Sequence, residues 1–191
     1  RLTSLNALFV TDIDHTLIGE DNTHLKALLR SLKANRPTVG FVVATGRSIE
    51  SVRGHLDKYG VAGVDVLVTS VGAEIYYGPR LQQSRSWESH IAAKWEPAKI
   101  RRALRSLPFL TTQEEDTQRR FKISYYMEPG KDRLAEIHNR LLHTKCKYNL
   151  VYSHDQYLDI LPYRASKGKA IRFLCYKWEI PLKNIVVCGD S

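Results

Sequence analysis

The chain has 191 residues, 43% hydrophobic and 26% charged, an ordinary balance for a folded chain with room for one large domain or a core plus an insert. No apolar run approaches the ~20 residues of a membrane helix, and Arg1-Leu2-Thr3-Ser4 lacks the apolar stretch of a secretory signal. The 29 basic and 20 acidic residues give a net charge of +9, but the cations are scattered in short pairs such as Arg101-Arg102. That scatter argues against a nucleic-acid partner, as the missing apolar run does against a membrane one, and a generally positive surface suits a small phosphorylated anion.

The first apolar run, Ala7–Val10, reads as a strand buried on both faces. Leu25, Leu28, Leu29 and Leu32 then repeat at helical spacing, with Asp21, Asn22 or Thr23 able to cap. Residues 38–44 form a second strand. Ile49, Val52, Leu56 and Tyr59 form a helix capped by Ser48 and stopped by Gly60. Residues 65–68 give a third strand. From about Gly78 the pattern alternates: Phe121, Ile123, Tyr125 and Met127 face one way, Lys122, Ser124 and Tyr126 the other. Residues 149–152 and 157–161 are further short strands. Helical stripes run through Ile100, Ala103, Leu104 and Leu107 and through Leu134, Ile137, His138, Leu141 and Leu142. After Pro162 a third core helix, with Ala170, Ile171, Leu174, Cys175 and Trp178, runs to Pro181, followed by a strand over 185–188.

Strand–helix alternation predicts an α/β fold, a doubly wound Rossmann-like parallel sheet, interrupted by an α+β insert with an antiparallel sheet. The boundaries read as core 1–78, insert 79–161 and core 162–191. The insert is expected to carry helices on one sheet face and to leave its polar face open. Cys146, Cys175 and Cys188 show no CxxC spacing and read as reduced, in a cytoplasmic protein. The chain starts without Met and stops inside a motif at Ser191, so it reads as processed or excised from something longer.

Open α/β sheets bind ligands at the carboxyl ends of their strands. After strand one comes Asp12-Ile13-Asp14-His15-Thr16, and after strand two Thr45-Gly46-Arg47. Ser166-Lys167-Gly168-Lys169 opens the last helix, and Gly189-Asp190-Ser191 follows the last strand. Two carboxylates two residues apart behind a buried strand need a cation, and on an extended segment both point the same way. A hard ion such as Mg²⁺ suits them. His15 would point away and reads as structural. Thr45 taken alone better suits capping the helix that starts near Ser48, and Arg47 reads equally as a substrate contact or a salt-bridge partner.

This set resembles the haloacid dehalogenase superfamily, with its DxDxT, Thr or Ser, Lys and GDxxxD motifs in order and the fourth cut short. The segments 10–19, 69–77, 121–126, 158–162 and 164–170 are similar to those of sucrose-phosphate phosphatases, or of the phosphatase-like domain attached to sucrose-phosphate synthases. The resemblance implies a Mg²⁺-dependent sugar phosphatase working through an aspartyl-phosphate. Asp12 would be nucleophile, Asp14 acid and base, and Asp12, Asp14 (through its main-chain carbonyl) and Asp190 the metal ligands. Thr45 and Gly46 would hold the phosphoryl oxygens, and Lys167, preferred to Lys169, would offset their charge. The insert would close over the site as a cap, with Lys122, Ser124, Tyr126, Gln113, Gln118 and Asp159 meeting the sugar, unless that face is merely solvated. Two other readings stay open: a phosphatase for another sugar phosphate, and a non-catalytic regulatory domain fused to or associated with a sugar-phosphate synthase. The intact motifs argue against the latter.

Overall fold

Valine, isoleucine and leucine runs without polar interruption bury both faces of a strand, and they set the central sheet. The computed structural model describes residues 2–189. Its first elements are β1 (Ala7–Thr11), α1 (Leu25–Ala34), β2 (Val39–Ala44), α2 (Ile49–Lys58), β3 (Val66–Thr69), β4 (Glu74–Tyr77) and β5 (Gln82–Gln83). There follow α3 (Arg85–Ile91), α4 (Pro97–Leu104), β6 (Leu110–Thr112), β7 (Ile123–Met127), α5 (Arg133–Leu142), β8 (Tyr148–Ser153) and β9 (Tyr157–Pro162). The chain then returns through α6 (Lys167–Trp178) to β10 (Ile185–Cys188). Two compact units result: one runs to Trp87 and resumes at Ser166, and the other spans Glu88–Ala165.

In the first unit a six-stranded sheet runs in the order β10-β1-β2-β3-β4-β5. β1 lies parallel to both β2 and β10, with Val10 opposite Val42 and Val187. Phe41, Val43 and Leu67 join Val52 and Leu56 of α2 and Leu25 of α1 in one core cluster. The alternate residues Val42, Val66 and Val68, all fully buried, face the other side, where α6 packs on β3. Each such valine contributes about 1.5–3 kcal/mol by leaving water. Helices on both faces make this the expected doubly wound α/β core. The sheet also gains an antiparallel extension that the sequence pattern does not predict. After a turn at 70–72, β4 runs back along β3, with Ile75 opposite Val68.

The caps follow local chemistry. Ser48 accepts the Ser51 N–H at 3.3 Å and starts α2. Gly60, at φ +65°, ends the turn after that helix. Ser166 accepts the Lys169 N–H at 3.1 Å and starts α6. The expected capping of α1 by Asp21, Asn22 or Thr23 does not occur. Asp21 accepts the Thr23 N–H at 2.8 Å and Asn22 donates to the Gly19 carbonyl at 2.8 Å, so both side chains are spent on the preceding turns. α6 stops at left-handed Glu179, two residues before Pro181.

In the second unit the order is β6-β7-β9-β8, all antiparallel. α4 and α5 bury Ile100, Leu104, Ile137 and Leu141 with Ile123, Tyr125, Met127 and Leu158. The polar face was expected to be open, and the structure corrects this: Lys122 and Ser124 are buried. The segment 113–118 bonds back onto β7, Gln113 donating to the Tyr125 carbonyl and Gln118 to that of Ser124, each at 2.8 Å. The strand therefore also starts later than expected, at Ile123, because Arg119 and Lys122 exchange main-chain hydrogen bonds in a tight bridge. All three cysteines are free, and no described helix is long and apolar enough to cross a membrane.

Candidate active site

The site is built where β1, β2 and β3 end. β1 stops at Thr11, and the acids lie in a turn, not on the extended segment expected. Leu17 donates to the Asp12 carbonyl at 3.3 Å and Ile18 to that of Ile13 at 2.9 Å, while His15 takes φ +55°. The two carboxylates consequently take different partners. One oxygen of Asp12 accepts the Ile13 N–H at 2.7 Å, and the other accepts from the Lys167 ammonium, 155 positions along the chain. Asp14 meets the Arg47 guanidinium side-on: Nη2 lies 2.6 Å from Oδ1 and Nε 2.9 Å from Oδ2. That charge-assisted fork is the strong form of the interaction. Both sides of this pair are partly open, Arg47 at 34% and Asp14 at 42%.

Arg47 sets the protonation of Asp14. Its hydrogen bonds hold the carboxyl below the ordinary value near 3.8; partial burial opposes this, and the guanidinium charge adds to it. In this arrangement Asp14 is a carboxylate.

Thr45 is buried, and its hydroxyl accepts the Arg47 N–H at 3.2 Å. The capping role weighed for it belongs to Ser48. Gly46 has room for a Cβ, the nearest atom being Val71 Cγ2 at 3.8 Å, so packing does not demand a glycine there. A cavity opens beside these groups, lined by Asp12, Ala44, Lys167, Gly168, Cys188 and Gly189. The Asp12 N–H donates to the Cys188 carbonyl at 3.0 Å, so the end of β10 meets the acid loop. Asp190 lies outside the described residues.

The donors are all oxygen, the set a hard cation prefers over a softer one. The buried Thr16 hydroxyl in the same loop has no hydrogen-bond partner among the described residues. Those features fit Mg²⁺. No three His, Cys, Asp or Glu side chains among the described residues converge on one point, so Asp12 and Asp14 alone do not complete a coordination shell.

The remaining candidates belong to the second unit and form a network of their own. Ser124 Oγ donates to Asp159 Oδ1 at 2.6 Å, and Lys122 Nζ approaches the same oxygen at 3.3 Å. Gln118 donates its amide to the Ser124 carbonyl and accepts the Ser124 N–H, and Gln113 donates to the Tyr125 carbonyl. Tyr126 donates to Glu114 at 2.8 Å. Lys122, Ser124 and Asp159 are thus together, whereas Tyr126 turns to a different acid.

A buried polar group at the end of β3, within the resembling segment 69–77, carries no role in the sequence reading. There Thr69 and Ser70 donate their hydroxyls to Glu74 Oε2 at 2.9 and 3.0 Å, all three residues being buried. The signal was available: Thr69-Ser70-Val71-Gly72 ends a parallel strand at the same sheet edge as the other motifs.

A family model described as sucrose-6F-phosphate phosphohydrolase matches residues 5–191. Sucrose-phosphatase 1 of Nicotiana tabacum is 32% identical over all of this chain and 47% of its own length. The mannosylfructose-phosphate phosphatase of Agrobacterium fabrum is 29% identical over 96% of this chain and 75% of its own. Among solved structures, the sucrose-phosphatase of Synechocystis sp. PCC6803, in complex with sucrose and phosphate, superposes with a TM-score of 0.87. Its identity is 25%, over 96% of this chain and 75% of that one. The chain spans about half the length of the first curated relatives it matches.

Proposed function

The chain belongs to the sucrose-6F-phosphate phosphohydrolase family, and from that premise we propose that it hydrolyses sucrose 6-phosphate to sucrose and phosphate through an aspartyl-phosphate. The observation that carries this reading is the ion pair of Asp12 with Lys167 at the carboxyl edge of the sheet, a nucleophile and a charge-neutralising ammonium delivered by distant parts of the chain.

Phosphoryl transfer asks mainly for positioning and for neutralisation of the phosphoryl oxygens. Asp12 attacks phosphorus and the sugar oxygen leaves, which divides one difficult step into two. Lys167 and the Thr45 hydroxyl and Gly46 N–H hold the transferring oxygens. Asp14 gives its proton to the departing sugar oxygen, then takes one from the water that cleaves the acyl phosphate. For this Asp14 must leave Arg47. An incoming phosphoryl group offers that guanidinium a competing anion, and an Asp14 relieved of its partner accepts a proton more readily. Asp12, Asp14 through its main-chain carbonyl, and Asp190 would hold Mg²⁺, which would supply positive charge beside the nucleophile and the phosphoryl group.

The second unit is read as the cap, and Lys122, Ser124, Tyr126, Gln113 and Asp159 as its sugar-recognising groups. The protein is read as cytoplasmic. A related disaccharide phosphate is the alternative substrate, favoured by the similarity to a mannosylfructose-phosphate phosphatase.

Phosphate release by the full-length protein from sucrose 6-phosphate, mannosylfructose phosphate and simple hexose phosphates, with and without Mg²⁺, tests the reading. Preference for sucrose 6-phosphate and loss of turnover on chelation are expected. No release from any of them would overturn the assignment in favour of a regulatory domain.

A further inference from the structure

We propose that the left-handed turn Ser70-Val71-Gly72, braced by Glu74, is a positioning element that fixes Lys167 and the Thr45–Arg47 loop in register with Asp12. The inference rests on the phosphatase reading for its kinetic consequences, though not for its geometry.

Three consecutive residues hold φ values of 52°, 60° and 90°. Gly72 is at home there; Val71, β-branched, is not, and such backbone persists only where its surroundings over-determine it. The surroundings here are the site itself. Ser70 donates its N–H to the Arg47 carbonyl at 2.8 Å and Val71 to the Thr45 carbonyl at 3.1 Å, so the turn grips the phosphoryl-binding loop at two points. Below it, Glu74 accepts the Thr69 and Ser70 hydroxyls, and Trp87 donates its indole N–H to the Gly72 carbonyl at 3.1 Å.

The other side of the turn presses on the start of α6. A Cβ on Gly72 would lie 2.2 Å from the Ser166 carbonyl carbon, 2.4 Å from its oxygen and 2.5 Å from the Lys167 nitrogen. Those are backbone atoms and cannot swing aside as a side chain does. Lys167 is the first residue of that helix, and its ammonium meets Asp12. One turn therefore touches the main chain of two motifs that have no sequence proximity.

The test compares Gly72→Ala, Lys167→Ala and the double variant in the full-length protein. Gly72→Ala is expected to lower kcat about 100-fold with KM changed far less, as an ångström of misplacement can do. The double variant is expected to be no slower than Lys167→Ala alone, because both changes remove the same contribution. Multiplying losses would mean that Gly72 does not act through Lys167, and would overturn the proposal.

A crystal structure of Gly72→Ala gives a readout free of turnover. The Ser166–Lys167 backbone should be displaced and the Lys167–Asp12 pair opened; an intact pair sinks the inference whatever the substrate proves to be. A wild type inert toward every sugar phosphate would instead refute the hydrolase reading and leave this crystallographic comparison decisive. Should Gly72→Ala not fold, Glu74 carries the same test. Glu74→Ala should lose kcat about tenfold, and Glu74→Gln, which keeps an oxygen facing the two hydroxyls, should restore most of it. Equal losses in the two variants would count against the brace.

Discussion

Lys122 meets Asp159 with side chains 9% and 14% exposed, whereas Arg47 meets Asp14 with side chains 34% and 42% exposed. The first pair belongs to the inserted unit and shares its carboxylate with the Ser124 hydroxyl. The second belongs to the core and opens toward solvent. A desolvated pair cannot part without stranding a charge in a poorly polarisable interior. An open pair can exchange one partner for a phosphoryl oxygen, since water stabilises the separated groups. The core pair is thus free to change partners, whereas the pair in the inserted unit is held in one arrangement.

The contrast can be broken in several ways. Asp12→Asn should lower phosphate release by at least about a thousandfold, while thermal unfolding stays close to the wild type. Near-normal turnover would remove Asp12 as nucleophile. Asp159→Ala leaves the Lys122 ammonium buried without its carboxylate and should cost about 3 kcal/mol in chemical denaturation. Arg47→Ala should cost no more than about 1 kcal/mol in the same experiment. Similar losses for the two would erase the distinction between closed and open clusters.

The smallest expected effect is on titration. Hydrogen bonds from Arg47 depress the Asp14 carboxyl, so the pair's contribution to folding is in place above the ordinary value near 3.8 and disappears as the pH falls through the lowered one. In Arg47→Ala the Asp14 titration, followed by carbon NMR, should move to higher pH. An unmoved midpoint would show that some other group sets the charge of Asp14.

Much of the fold could be read from the chain. The unalternating runs gave β1, β2, β3 and β10 to within a residue or so, because strands buried on both faces leave no room for polar positions. Helix starts at Ser48 and Ser166 were legible because a serine side chain reaches only a few residues along the chain. The antiparallel return of β4 and the two-residue strand β5 are not legible in the sequence. A four-residue run such as Glu74–Tyr77 carries too little pattern to set its direction. The polar face of the insert differs from its sequence pattern for a related reason. Lys122 and Ser124 alternate as surface residues do, yet both are buried and share Asp159, a pairing that lies 35 or more positions away along the chain.

Local composition by itself determined which acids, hydroxyls and ammonium end up near the carboxyl edge of the sheet, since each stands directly after a strand or at the head of a helix. Tertiary structure decided which of them touch. It gave Asp12 to Lys167, gave Asp14 to Arg47, and set the Ser70-Val71-Gly72 turn against the start of α6. Spacing along a chain fixes contacts only within a turn or two; pairings across dozens of residues depend on how elements pack, and that information resides in the assembled core.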